Sequence, residues 1–202
     1  LHDALPILFP VEIPQRKGDP IVFEKDECVR PDTSMEALGK LRPVMKKDGV
    51  VTAGNASPMN DGASAILLMS AEKAKELGLT PLAKVTAFAS AGVDPTIMGI
   101  GPVYATRKLM EKTGLTIDDF DVIELNEAFA AQSLACIKEL KIDTKKLNPN
   151  GGAIAIGHPN AASGGLLTAR TVRHMQERDL KKGLITFCCG GGQGFSCLVE
   201  RD

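Results

Sequence analysis

The sequence predicts an α/β fold in which a sheet and helices form layers. From about residue 83, short apolar segments of strand character alternate with longer amphipathic segments of helical character. The chain is 44% apolar over 202 residues, which suffices for a sizeable core. Its 20 glycines cluster near the ends of the predicted strands, where tight turns or a closely bound ligand would need them.

The second part of the chain contains the clearest elements. Hydrophobic periodicity predicts strands at 83–89, 121–125, 183–188 and 195–200, and helices at 103–112, 127–140 and about 165–179. Gly114 should end the first of these helices. The second should bury a face of Ala130, Leu134 and Ile137, and the third a face of Leu166, Ala169, Val172 and Met175.

The first part is less regular. Prolines and charges over residues 10–31 indicate extended or looped backbone, and the capping-box pattern at 33–36 predicts a short helix before Pro43. The apolar run 63–69 predicts a buried strand. Ser70 should cap a helix through Leu77 that stops at Gly78, so we expect a boundary near residue 80, with one domain at 1–80 and another at 81–202.

Charge and cysteine content exclude several classes of function. The 24 basic and 25 acidic residues are well mixed, which gives no electrostatic basis for binding nucleic acid or an anionic membrane. No apolar run approaches the roughly 20 residues of a membrane span. The five cysteines lack zinc-site spacing, so we expect no metal and a reducing, cytoplasmic location.

The start of the chain follows no targeting pattern. Residues 1–7 lack an initiator Met, a signal peptide and an Arg-rich transit segment, and they join nothing that follows. We expect a truncated or chimeric N-terminus.

Three polar clusters stand where predicted strands run into glycine-rich turns. They contain Asn126, Gly157-His158-Pro159 and Cys188-Cys189-Gly190, and such turns are the usual reaction sites of α/β sheets. Asn126 can donate to an oxyanion, His158 can move a proton near neutral pH, and Cys188 can act as a base or nucleophile.

Each of these residues also has a structural interpretation. A single His can be a satisfied core residue, a Cys at a strand end a small hydrophobe, and an Asn before a helix a cap. The glycine run could also form a phosphate loop, although no Lys-Ser or Lys-Thr follows it. Cys28, Cys136 and Cys197 lack glycine or basic neighbours and are interpreted as packing residues.

The motifs together resemble those of the thiolase family. The N-E-A-F-A, G-G-A-x-x-x-G-H-P and C-x-G-G-G-x-G motifs of that family match residues 126–130, 151–159 and 188–194. Residues 52–63 resemble its coenzyme A loop, and 98–102 fit a fifth motif. The resemblance implies a thiolase fold of two similar α/β halves, each a mixed sheet with helices. It implies a whole C-terminal domain at 81–202, preceded by the tail of the N-terminal and loop domain.

The resemblance also implies residue roles. Asn126 would hold a water that forms an oxyanion hole with His158, and His158 would activate a nucleophilic Cys. Cys188 would be the general acid/base for the α-proton, and the N–H of Gly190 would stabilise the acyl-enzyme. Ser57 would contact the pantetheine arm, and the acyl pocket would be lined by Met98 and Phe129.

This chain departs from the family pattern in three ways. Asn160-Ala161 follows G-H-P where the family has a bulky apolar residue and Gly, and Pro58 stands where Gly is common. The family's nucleophilic Cys belongs to an N-terminal half that we expect to be missing here. None of the five cysteines has its sequence context.

The implied reaction is the Claisen condensation of two acetyl-CoA to acetoacetyl-CoA and its reverse. Coenzyme A thioesters are then substrates, with no separate cofactor, and a homodimer or homotetramer is implied. The alternatives are a degradative 3-ketoacyl-CoA thiolase, a non-catalytic coenzyme A-binding relative and a structural subunit. A decarboxylating ketosynthase fits less well, because such enzymes use two histidines where this chain has Asn126 and His158.

Overall fold

A computed structural model describes residues 9–202, and the chain divides into two compact units between Lys40 and Leu41. The described part of the first unit holds a hairpin of β1 (Val11–Ile13) and β2 (Ile21–Phe23), both exposed. It also holds α1 (Met35–Gly39), so the predicted short helix is confirmed. Its cap is Ser34, whose side chain accepts the N–H of Ala37. The expected domain boundary near residue 80 stays a prediction.

The second unit begins with loops and α2 (Ala71–Glu76). Ser70 caps this helix, and Gly78 follows it with a φ of +65°, as predicted. The buried strand predicted at 63–69 is wrong. This segment has no regular structure, and the side chains of Leu67 and Leu68 are 81% and 70% exposed. A strand needs a hydrogen-bonded neighbour, and none of the described strands pairs with this segment.

The sheet of the second unit has four strands in the order β3 (Lys84–Gly92), β6 (Gln193–Glu200), β5 (Lys182–Cys189) and β4 (Val122–Leu125). All four predicted strands are confirmed. The β3–β6 and β6–β5 pairs are antiparallel, whereas β5 and β4 are parallel. The sheet is therefore mixed, and the carboxyl ends of β4 and β5 lie at the same edge.

Helices cover both faces of this sheet. On one face, α3 (Gly101–Thr113) and α4 (Ala130–Leu140) pack Leu109 and Cys136 against strand residues such as Leu184. After the four-residue α5 (Ala153–Ile156), α6 (Ser163–Arg178) packs Met175 on the other face, against Ile185. Neighbouring strand residues point to opposite faces, which explains why Leu184 and Ile185 belong to different clusters.

The helix positions confirm most expectations but correct some of the buried faces. Gly114 ends α3 in the left-handed conformation, as predicted. In α4, however, Leu134 is 64% exposed, and Ala169 of α6 is also exposed. The buried positions are Gln132, Ser133, Cys136 and Leu140 in α4 and Ser163, Leu167, Thr171 and Met175 in α6. Cys28 is exposed, so its interpretation as a packing residue is wrong.

The prediction missed these faces because polar residues occupy part of them. Thr171, for example, is fully buried, and its hydroxyl donates to the Leu167 carbonyl one turn earlier. A hydroxyl that is satisfied within its own helix loses little on burial. Apolar residues alone therefore do not define the inward face of α4 or α6.

Candidate active site

The candidate site lies at the edge where β4 and β5 end. Asn126 follows β4 directly, and its backbone N–H donates to the Thr186 carbonyl of β5 at 3.0 Å. Cys188 stands two residues further along β5. The parallel pairing therefore brings Asn126 and Cys188 to the same edge, although no hydrogen bond of residues 9–202 joins their side chains.

Asn126 meets His158 at this edge. The Asn126 side chain is buried, and its Nδ2 lies 3.3 Å from Nε2 of His158. His158 follows α5, and its backbone N–H donates to Oδ1 of Asn60 at 3.0 Å. Two of the three polar clusters thus come into direct contact.

A serine fixes the tautomer of this histidine. Ser163 Oγ lies 2.7 Å from His158 Nδ1, and the same hydroxyl donates to the Pro159 carbonyl at 3.1 Å. A hydroxyl has one proton to donate, so a Ser163 hydroxyl that donates to Pro159 accepts from an Nδ1–H of the imidazole. The neutral ring then carries its lone pair on Nε2, beside Asn126.

Burial sets the charge states of the two titratable groups. It lowers the pKa of His158 below its usual 6.5, so the imidazole is neutral at pH 7. Burial raises the pKa of Cys188 above 9.0, with a smaller opposing effect from a backbone hydrogen bond. At neutral pH the site therefore offers an uncharged base, Nε2 of His158, and a protonated thiol that can act as an acid.

The loop that resembles the family's coenzyme A loop packs on the first cluster. The N–H and hydroxyl of Ser57 both donate to the Ala128 carbonyl, at 3.1 and 3.2 Å. The N–H of Ala130 donates back to the Asn55 carbonyl, and Ala56 forms a bridge with Phe129. Ser57 is therefore held next to the Asn126 segment.

The other predicted site residues lie around this edge, and none of those in the described part of the chain has a hydrogen bond with His158. Gly190 is exposed in the turn between β5 and β6. Met98 is half-buried in a 3₁₀ segment, Pro95–Ile100, that contacts α4, and Phe129 is half-buried just before α4. The structure brings Asn126, His158 and Ser57 together and leaves Gly190 and Met98 at the periphery.

Two further residues brace the site, and sequence reasoning missed both. The amide of Asn148 bonds the N–H and carbonyl of Leu125, each at 2.9 Å, and donates to Glu127 Oε1 at 3.3 Å. Glu127 Oε2 accepts the N–H of Ile154 at 3.3 Å. The carboxylate lies so close to Gly152 that a Cβ there would overlap it, which explains one glycine of the run.

These braces left only weak signals in the sequence. Asn148 has a φ of +44°, in the left-handed region that Asn tolerates better than most residues, and Asn in the Asn-Pro-Asn-Gly-Gly stretch hints at such a turn. Ser163 stands five residues after His158, a spacing that has no meaning until α6 is placed. Among residues 9–202, no cluster of His, Cys, Asp and Glu could hold a metal ion, and no helix could cross a membrane.

Comparison with known proteins identifies the family. The family model described as "Thiolase, C-terminal domain" matches residues 79–201, and that described as "Thiolase, N-terminal domain" matches residues 7–72. The chain is 57% identical, over 96% of its length, to an acetyl-CoA acetyltransferase of Allochromatium vinosum and to one of Pseudomonas aeruginosa. It spans about half the length of these relatives, 49% in each case.

Solved structures give the same result. The acetyl-CoA acetyltransferase of Bacillus anthracis superimposes with a TM-score of 0.90 at 45% identity, over 98% of this chain and 51% of that one. Human mitochondrial 3-ketoacyl-CoA thiolase superimposes with a TM-score of 0.83 at 40% identity, over 96% of this chain and 49% of that one. The predicted fold is confirmed, and the chain belongs to the thiolase family.

Proposed function

We propose that the protein carrying this chain is an acyl-CoA C-acyltransferase that condenses two acetyl-CoA into acetoacetyl-CoA and CoA, and catalyses the reverse thiolysis. The observation that carries the proposal is the contact between Asn126 Nδ2 and His158 Nε2, beside the strand end that holds Cys188. Similar proteins named acetyl-CoA acetyltransferase support acetyl-CoA as the substrate.

In the first half-reaction, neutral His158 accepts the proton of a nucleophilic thiol through Nε2. The thiolate attacks the carbonyl of acetyl-CoA, and negative charge develops on the thioester oxygen. The new Nε2–H of His158 and a water held by the neighbouring Nδ2–H of Asn126 donate to this oxyanion. The C–S bond to coenzyme A then breaks, and Cys188 gives its proton to the leaving thiolate. The acyl-carrying thiol is expected outside these 202 residues, as the family resemblance implies.

In the second half-reaction, the Cys188 thiolate removes the α-proton of a second acetyl-CoA. The resulting carbanion attacks the acyl-enzyme carbonyl, a C–C bond forms, and the C–S bond to the enzyme breaks. The released thiolate takes back the proton that His158 has held since the first step. Protons and charges therefore balance over the cycle, and Cys188 starts each cycle in the protonated state that its burial favours.

The remaining assignments follow the same proposal. Ser57 lies in the loop held against the Asn126 segment, which suits contact with the pantetheine arm. Met98 and Phe129 flank α4 and suit the acyl pocket, and the N–H of Gly190 suits the acyl oxyanion. A structure similar to this chain, at 42% identity and a TM-score of 0.81, is a 3-ketoacyl-CoA thiolase in complex with CoA. Binding of coenzyme A thioesters as substrates agrees with that likeness, and no other cofactor is part of the proposal.

Assembly and location are also part of the proposal. A homodimer or homotetramer follows from the family likeness, and the large exposed apolar side chains at 66–69 suit burial against further polypeptide. The described cysteines are all unpaired thiols, which agrees with a reducing, cytoplasmic location.

A degradative 3-ketoacyl-CoA thiolase is the second candidate. It is favoured by the similarity to the human mitochondrial enzyme. Thiolysis of acetoacetyl-CoA and of 3-ketooctanoyl-CoA by the same preparation separates the two. A higher kcat/KM for acetoacetyl-CoA supports the first candidate, and a higher value for the longer substrate supports the second.

The decisive test uses the natural protein that carries this chain. Incubated with acetyl-CoA, it should form acetoacetyl-CoA and free CoA in equal amounts, and the His158→Ala variant should lose this activity. Binding of acetyl-CoA without turnover would contradict the proposal and favour a non-catalytic coenzyme A-binding relative. Absence of both binding and turnover would favour a structural subunit.

A further inference from the structure

An ionisable carboxyl group lies inside the domain, behind the candidate site. Glu124 belongs to β4, its side chain is fully buried, and neither of its oxygens has a hydrogen-bond partner among residues 9–202. Glu124 and Asn126 are two residues apart, so both point to the sheet face that α6 covers. A buried carboxyl group without hydrogen bonds is costly, so this position calls for an explanation.

Arg170 of α6 is the cation that faces this carboxyl group. Its Nη2 lies 3.6 Å from Glu124 Oε1, too far for a hydrogen bond but close enough for strong attraction inside a protein. The same Nη2 donates a short hydrogen bond to the carbonyl of Gly151. Gly151 opens the glycine-rich loop that leads to His158, so a line of contacts runs from β4 through Arg170 to that loop.

A second acid holds the next part of the same loop. Glu127 accepts the N–H of Ile154, as described above, so the loop is fixed to β4 and its extension at Gly151 and at Ile154. His158 follows four residues later, and its ring is fixed by Ser163 at the start of α6. The hydrogen bond from Arg170 to the Gly151 carbonyl therefore links the middle of α6 to the start of the loop.

We infer that Glu124 and Arg170 are positioning residues, which hold the Gly151–His158 loop so that Nε2 of His158 faces Nδ2 of Asn126. Neither residue touches substrate. Ionised Glu124 keeps Arg170 turned towards the loop, and Arg170 holds the Gly151 carbonyl. The inference rests on the proposed acyltransferase function for its kinetic readout, but the position of the loop can be measured without it.

The ionisation of Glu124 gives this inference a distinctive pH signature. Burial raises the pKa of its carboxyl group to about 7, against the opposing effect of Arg170 and with a smaller upward effect of Glu127. These are the charged groups that face it from α6 and from the segment after β4, and on β5 the register partner is the uncharged Ile185. Protonation as the pH falls through about 7 should release Arg170 and loosen the loop.

The test compares Glu124→Gln, Arg170→Met and the double variant with Arg107→Met, in the natural protein. Arg107 forms an exposed ion pair with Glu139 between α3 and α4, so it is a matched control. Glutamine imitates the protonated carboxyl group. Each single variant should lower kcat about 10- to 100-fold with KM nearly unchanged, since small misplacements cost that much. The double variant should be no worse than Arg170→Met, because the two residues act as a unit.

Two readouts distinguish positioning from simple stability. The wild type should lose kcat as the pH falls through about 7, and Glu124→Gln should lack this step. Backbone amides at 151–158 should exchange hydrogen faster in Glu124→Gln than in the wild type, while the core amides of β5 keep their wild-type rates. In the control Arg107→Met, the amides at 151–158 should also keep their wild-type rates. If Glu124→Gln fails to fold, Arg170→Lys replaces it, because it keeps the charge but not the planar fork.

The outcomes separate this inference from the proposed function. Unchanged exchange at 151–158 in a folded Glu124→Gln or Arg170→Lys protein would overturn the positioning role, whatever the activity. A wild type without acyltransferase activity would overturn the proposed function, while faster loop exchange in the variants would still support the linkage of Glu124 to the loop.

Discussion

Ser163 Oγ lies 2.7 Å from Nδ1 of His158, and its hydroxyl donates a hydrogen bond to the Pro159 carbonyl. Ser163 is the first residue of α6, so the start of this helix sets both the ring orientation and the tautomer of the histidine. A helix that packs on the core is a rigid support for a reactive group. The packing of α6 on the sheet therefore places Ser163 so that Nε2 is the basic nitrogen of His158.

Ser163→Ala should lower kcat roughly 10- to 100-fold, the usual cost of losing a residue that orients a working histidine. Nδ1–H would lose its acceptor, and the ring could adopt the other tautomer, with the proton on Nε2. KM should change little, because the Ser163 hydroxyl contacts His158 and the Pro159 carbonyl and is expected to act only through the histidine. Thr168→Ala is the matched control, since Thr168 makes a comparable bond to the Gly164 carbonyl in the same helix. Equal rates in the two variants would remove Ser163 from the mechanism.

Asn126→Ala and His158→Ala should be strongly non-additive. His158 directly and Asn126 through a bound water are expected to act on one oxygen, and loss of one oxyanion donor costs about 10²–10³ in rate. Residues that act as a unit do not contribute independent factors. The double variant should therefore be little slower than His158→Ala. Losses that multiply in full would show that the two residues serve separate steps.

The imidazole of His158 should titrate with a midpoint below 6.5, because burial disfavours its cation. The neutral ring is the form that the folded state prefers, so its contribution to stability is present above pH 6.5 and is lost as the pH falls through the folded-state pKa. Histidine-selective NMR across pH 5–8 measures the midpoint, and the His158→Ala spectrum assigns the signal. A midpoint above 6.5 would contradict the expected effect of burial, and a midpoint above 7 would make the charged imidazole the main form at neutral pH.

Asn148→Ala should destabilise the protein by about 1–3 kcal/mol, because it leaves backbone groups of Leu125 without partners. The left-handed φ of Asn148 adds strain for alanine. Asn150→Ala, two residues later and exposed, is the control and should stay within about 0.5 kcal/mol of the wild type. Chemical denaturation of both variants measures the free energies of unfolding. A loss in Asn148→Ala no greater than that in Asn150→Ala would show that this brace is dispensable.

Local patterns predicted the elements whose signals lie within one segment. Gly114 ends α3 and Ser70 starts α2 because caps act over a few residues. The strand expected at 63–69 failed for the opposite reason. Its apolar run fits a strand, but a strand also needs a hydrogen-bonded neighbour. The residues of the run alone do not show whether such a neighbour is available.

The same distinction explains the site. The motifs around Asn126, His158 and Cys188 point to acyl chemistry because each residue type has a specific reactivity. The supporting residues cannot be recognised in this way from their type alone; they are Ser163, Glu127, Asn148 and Glu124. Their roles arise when α6 and the glycine-rich loop pack beside β4, a relationship between segments far apart in the chain.

The central claim is that His158 and Cys188 serve two successive half-reactions at one sheet edge, and a single-turnover experiment tests it most directly. Wild type, His158→Ala and Cys188→Ser are mixed with acetyl-CoA, and CoA release, protein acetylation by mass and acetoacetyl-CoA are followed together. Cys189→Ser is the matched control. Serine cannot replace a thiol as base near neutral pH. Condensation in Cys188→Ser should therefore fall about 10²–10⁴-fold while acetylation is less affected, and His158→Ala should lose acetylation itself. Near wild-type condensation in Cys188→Ser would contradict the account and make Cys189 the candidate.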